Sequence, residues 1–71
     1  MENMNADKIS ESIRACRKRL GLSQDELANR LHVTRQAVSK WENGSALPSV
    51  DMLIALANVF ELSVDELLGV S

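Results

Sequence analysis

The sequence is poor in the residues that chemistry at a protein site most often needs. Its 71 residues include one cysteine, Cys16, so no disulfide can close within the chain. Cys16 and the single histidine, His32, cannot supply the four ligands of an ordinary zinc site. Three glycines and one proline leave little room for a glycine-rich phosphate loop. Tyrosine is absent, and Trp41 and Phe60 are the only aromatic residues. No apolar run approaches the roughly 18 residues of a membrane span. The polar, acidic start Met1-Glu2-Asn3-Met4-Asn5 is unlike a secretory signal. These absences predict a cytoplasmic protein with no metal, no cofactor and no membrane contact. A chain this short forms one domain and cannot enclose a deep cleft between two lobes.

Basic residues are missing from the second half. Residues 1–40 hold all eight Lys and Arg against five acids, a balance of +3. Residues 41–71 hold five acids and no Lys or Arg. The formal net charge of -2 conceals this split. A dipolar chain can turn its positive face to a polyanion and its acidic half to solvent or a partner.

What is present is helical periodicity and capping. At 45% hydrophobic and 25% charged residues, the composition is globular. Ile9, Ile13, Cys16 and Leu20 form one stripe of a 3.6-residue period, which predicts a first helix from about Lys8 to Leu20, capped by Asp7 and stopped by Gly21. Ser23 and Glu26 make a capping box that opens a second helix, Gln24 to Leu31, burying Leu27, Ala28 and Leu31. After the turn His32-Val33-Thr34, Thr34 caps a third helix of about residues 35–42, stopped at Asn43-Gly44. Ser49 caps a fourth, whose apolar face is read as Val50, Leu53, Ile54, Ala57 and Phe60. Ser63 and Glu66 form a second capping box for a short fifth helix ended by Gly69. No strand pattern is found. The expected fold is all-α: five helices over residues 8–69, preceded by a flexible segment of residues 1–7. The expected core is Ile9, Ile13, Leu20, Leu22, Leu27, Leu31, Val33, Val38, Trp41, Val50, Leu53, Ile54, Ala57, Phe60, Val64 and Leu67, with Val70 and Leu68 closing it or forming a partner surface.

Two helices of about eight residues joined by a three-residue turn are a helix-turn-helix, here spanning residues 23–42. Val38 and Trp41 point the third helix inward. Arg35 and Gln36 then stand on its outer face, with Ser39 and Lys40 one turn on. Such a helix fits the major groove of B-DNA, where Arg can fork onto guanine and Gln onto adenine. A solvated helix face would carry the same four residues. Gln24 and Thr34 stand at helix N-termini, where backbone N–H groups attract phosphate, and Asn43 lies just past the third helix. Ordinary capping would account for these three as well.

The runs Leu20-Gly21-Leu22-Ser23-Gln24-Asp25-Glu26-Leu27-Ala28, Val33-Thr34-Arg35-Gln36-Ala37-Val38-Ser39-Lys40-Trp41-Glu42-Asn43-Gly44 and Pro48-Ser49 closely resemble the Cro/CI-like phage-repressor family of helix-turn-helix DNA-binding domains. The resemblance extends over about residues 8–68 and implies a lambda-repressor-like five-helix domain. It implies base contacts by Arg35, Gln36 and Lys40, with Ser39 nearby, and phosphate contacts by Gln24, Thr34 and Asn43. It also implies an ion pair between Arg17 and Glu42 that braces the third helix. A homodimer on a palindromic double-stranded operator follows from the same resemblance. His32 stands where the family most often has Gly or Asn, and is read as a surface turn residue.

The function expected is that of a transcriptional regulator, a repressor by preference. The alternative is a protein-interaction module, such as an antitoxin, that uses the same fold. An enzyme is not expected. Cys16 belongs to the buried stripe, and Glu26 and Glu66 are capping residues.

Overall fold

Helix caps set the element boundaries in the computed structural model, which describes residues 6–69. The elements are α1 (Ala6–Arg19), α2 (Gln24–Leu31), α3 (Arg35–Asn43), α4 (Val50–Phe60) and α5 (Val64–Leu68). Residues 1–5, the larger part of the expected flexible segment, and Val70 lie outside the described residues. α1 starts at Ala6, two residues earlier than the stripe predicts, so Asp7 lies in its first turn and is not its cap. An acid there still complements the helix dipole.

The predicted caps form at each of the later starts. Ser23 accepts from the Glu26 amide at 3.0 Å while Glu26 accepts from the Ser23 amide at 2.7 Å. Ser63 and Glu66 repeat that reciprocal box at 3.0 and 2.8 Å. Thr34 and Ser49 accept from Ala37 and Met52, both at 3.2 Å. Two helices end on non-glycine residues in the left-handed region, His32 and Glu61, each at φ 60°. Most side chains pay a steric cost there.

The core gathers Ile9 and Ile13 from α1, Leu27, Ala28 and Leu31 from α2, and Val38 and Trp41 from α3. It is completed by Leu53, Leu56, Ala57 and Phe60 from α4 and Leu67 from α5. Leu22, Val33, Val64 and Cys16 pack half-buried against it. Three expected core residues are instead exposed: Leu20, Val50 and Ile54. Leu20 falls just past the end of α1, where the stripe no longer faces the core. α4 buries the stripe 53, 56, 57, 60, and Ile54 stands about 100° around the helix from Leu53. Leu56, fully buried, takes the place given to Ile54.

α3 packs on both α1 and α2, whereas α5 closes the far side against α1 and α4. One face of α3 therefore stays free.

Candidate nucleic-acid interface

α3 is held along its inner face and at both ends. Val38 is fully buried and Trp41 nearly so, which orients the helix about its axis. Thr34 caps the N-terminus. At the C-terminus, where the last carbonyls of a helix lack partners, several donors converge. Ser10 Oγ donates to the Trp41 carbonyl at 2.7 Å, and Arg14 Nη1 to the Glu42 carbonyl at 3.0 Å. The Lys40 carbonyl accepts from the Ser45 amide at 3.0 Å, and Asn43 Oδ1 accepts from the same amide at 2.9 Å.

The strongest tie is the ion pair of Arg17 and Glu42. Arg17 Nε donates to Glu42 Oε2 at 2.7 Å and Nη2 to Oε1 at 3.0 Å, a two-pronged geometry. Nη1 donates to the Leu22 carbonyl at 2.8 Å. The Glu42 side chain is only 4% exposed and that of Arg17 12%. The hydrogen bond to Glu42 raises the Arg17 pKa above its ordinary value, against the opposing effect of burial. The ion pair implied by the family resemblance is present in the structure. It joins α1, α3 and the turn before α2.

The expected base-reading residues share the opposite side of α3. Arg35, Gln36 and Lys40 are exposed, and Ser39 is half-buried between them and the core. An open hollow of about 240 Å³ lies beside them, lined by Thr34, Gln36, Ala37, Lys40, Trp41 and Ala46. Arg35 has a neighbour the sequence did not reveal. Asp25 Oδ1, in the first turn of α2, lies 3.9 Å from its Nε.

The three expected phosphate-contact residues are distributed differently. Thr34 and Asn43 are exposed, their side chains already accepting backbone hydrogen bonds. Gln24 is half-buried, and its Nε2 donates to Glu42 Oε1 at 3.1 Å. Its side chain thus joins the brace, while its backbone stays at the first position of α2.

Ser10 and Arg14 are positioning residues that sequence reasoning missed. A signal existed, because Ser10, Arg14 and Arg17 follow one another at helical spacings of four and three on one side of α1. Their targets, backbone carbonyls some thirty residues away, leave no trace in the sequence.

Comparison with known proteins bears on this surface. A helix-turn-helix family model matches residues 13–67. The HTH-type transcriptional activator BcrR of Enterococcus faecalis is 36% identical over 62 residues, covering 87% of this chain and 30% of that protein. The cryptic phage CTXphi transcriptional repressor RstR of Vibrio cholerae is 32% identical over 62 residues, covering 87% of this chain and 55% of that protein. The chain therefore spans about half or less of the length of these relatives. The c2 repressor of Salmonella phage P22, crystallised with synthetic operator 9T, superposes with a TM-score of 0.82 at 35% identity. That match covers 89% of this chain and 96% of the P22 chain.

Proposed function

The chain belongs to the helix-turn-helix family matched over residues 13–67, and from that premise we propose that it is a sequence-specific double-stranded DNA-binding transcriptional regulator, a repressor, that reads the major groove with α3. The observation that carries the reading is the division of α3. One side and both ends are anchored, and the other side presents Arg35, Gln36 and Lys40 to solvent. A helix held this way enters a groove without losing its own order, so little binding energy is spent on arranging it.

Arg35 and Gln36, at the first turn, contact base edges, with Lys40 and Ser39 one turn deeper. The hollow between Gln36, Lys40 and Trp41 suits the apolar edge of a thymine. Thr34, Asn43 and the backbone at Gln24 contact phosphates and set the register of the helix on the duplex. Glu42 fixes Gln24 and, through Arg17, the approach of α2 to α3.

The protein acts as a homodimer on a palindromic operator in the cytoplasm. Half-sites one helical turn apart lie about 34–36 Å from centre to centre. Two domains of 34 × 24 × 21 Å can sit side by side at that centre-to-centre separation without overlap. Exposed Leu47, Val50 and Ile54, in the α3–α4 loop and on α4, support contact with a second copy. The reading is of a binding protein and not a catalyst, in keeping with relatives named as transcriptional regulators.

Selection of preferred duplexes from a random pool tests it. The expected result is an enriched two-fold site, with Arg35→Ala losing about 1–3 kcal/mol of discrimination at one base position per half-site. A pool with no enriched sequence, or an Arg35→Ala loss equal on all sequences, would reject the base-reading assignment.

A further inference from the structure

We propose that Asp25 is a positioning residue that sets the sequence selectivity of Arg35, an assignment that rests on α3 being the DNA-reading helix. Asp25 and Arg35 stand in the first turns of α2 and α3, and Asp25 Oδ1 lies 3.9 Å from Arg35 Nε. Both side chains are largely exposed, 75% and 57%. A solvated pair of this kind adds little to folding, so its significance lies in where it stands.

The carboxylate approaches the Nε edge of the guanidinium. The Nη1–Nη2 edge remains for a base, and that edge is a two-pronged donor that matches guanine O6 and N7. The carboxylate biases the arginine toward its own side without hydrogen-bonding it, since 3.9 Å is beyond hydrogen-bond distance.

Asp25 also penalises the wrong complex. On a duplex with no suitable base, the natural alternative for Arg35 is a phosphate. Reaching it separates the guanidinium from Asp25 and leaves an uncompensated carboxylate beside a polyanion. The repulsion falls on the non-specific complex more than on the specific one, which is how a like-charge element yields selectivity at some cost in affinity. An acid at the start of α2 also suits the helix dipole. That role alone predicts no coupling to Arg35.

The test measures binding of the intact chain to its selected duplex and to a scrambled duplex of equal length over a range of salt. The variants are Asp25→Asn, Asp25→Glu, Arg35→Ala and the Asp25→Asn/Arg35→Ala double variant. Asp25→Asn is expected to strengthen binding to the scrambled duplex and steepen its log–log salt slope by about 0.9 per bound protomer, as each copy neutralises one more phosphate. The ratio of selected to scrambled affinity should fall about fivefold to tenfold, part of the discrimination of one two-pronged base contact. Asp25→Glu should keep the ratio within about twofold of wild type, since it retains the charge. In the Arg35→Ala background, Asp25→Asn should leave the ratio unchanged. An equal gain on both duplexes would overturn the assignment, because Asp25 would then merely repel DNA. So would the same fall in ratio without Arg35. A wild-type chain that enriches no duplex would overturn the DNA reading and this assignment together, whereas a selective wild type indifferent to Asp25→Asn overturns this assignment alone.

Discussion

Glu42→Gln isolates the brace behind α3 with the smallest change in shape. The Glu42 side chain is 4% exposed and accepts from Arg17 Nε at 2.7 Å, Arg17 Nη2 at 3.0 Å and Gln24 Nε2 at 3.1 Å. An amide has one acceptor oxygen and one donor nitrogen. If its NH2 takes the place of Oε2, it faces Arg17 Nε. If it takes the place of Oε1, it faces both Arg17 Nη2 and Gln24 Nε2. Either orientation sets donor against donor and strips the charge partner from a nearly buried guanidinium. Breaking a buried pair by removing one partner costs about 3–5 kcal/mol. A chain of 71 residues has a total stability of only about 4–11 kcal/mol. The variant should therefore lose about a quarter or more of its stability, and its Tm should fall by more than about 12 °C. Urea unfolding followed by Trp41 fluorescence and by far-UV circular dichroism measures this, with coincident curves as the two-state check. Trp41 is the only tryptophan and is 6% exposed next to the brace, so it reports local and global loss together. Replacing both partners, as in Arg17→Met/Glu42→Leu, should recover much of the loss, since no charge is left buried. A Glu42→Gln cost below about 1 kcal/mol would refute the reasoning and make the pair a surface contact in energetic terms.

Three further outcomes follow from burial, backbone angle and capping. Leu56→Ala should cost about 2–5 kcal/mol in urea unfolding, whereas Ile54→Ala, two residues earlier on an exposed face, should stay within about 0.5 kcal/mol of wild type; equal costs would overturn the packing of α4. Glu61 adopts φ 60° at the end of α4, so Glu61→Gly should stabilise by about 0.5 kcal/mol and Glu61→Val destabilise by more than about 1 kcal/mol. Hydrogen bonds from the Ser23 amide, then from the Ser23 side chain, hold the Glu26 carboxyl below its ordinary pKa. A depressed folded-state value means that this contribution is present above the ordinary glutamate pKa of about 4.3 and is lost as pH falls through the folded value. The stability gap between wild type and Glu26→Gln should therefore narrow between pH 7 and pH 3, and a gap independent of pH would reject the capping box as its source.

Most of α2, α3 and α5 was legible because their ends are fixed by contacts three residues apart. Ser23 with Glu26, Thr34 with Ala37 and Ser63 with Glu66 are local hydrogen bonds, and the residue types that make them are visible in the chain. The outer face of α3 was legible for a similar reason. Val38 and Trp41 mark one side, and Arg35, Gln36 and Lys40 fall opposite by helical geometry alone. α4 was harder, since Val50, Met52, Leu53, Ile54, Ala55, Leu56, Ala57, Val59 and Phe60 leave few polar residues to mark its outside. Its inward phase is chosen by α1, α2 and α5, which it packs against.

The partners of Gln24 and Arg35 were not legible at all. Side chains of the same composition would serve as phosphate contacts, caps or solvated charges. Glu42 claims Gln24 across eighteen residues, and Asp25 meets Arg35 across ten. Local patterns in the chain did not place the start of α1, but were enough to place the starts of α2, α3, α4 and α5, the polar side of α3 and a central helix-turn-helix. Those are consequences of neighbours one turn apart, whose spacing the covalent chain enforces. Packing across the chain selects which apolar face of α4 is buried and which long polar side chains are committed to the brace. These depend on elements brought together across the whole chain, where no spacing rule constrains who meets whom.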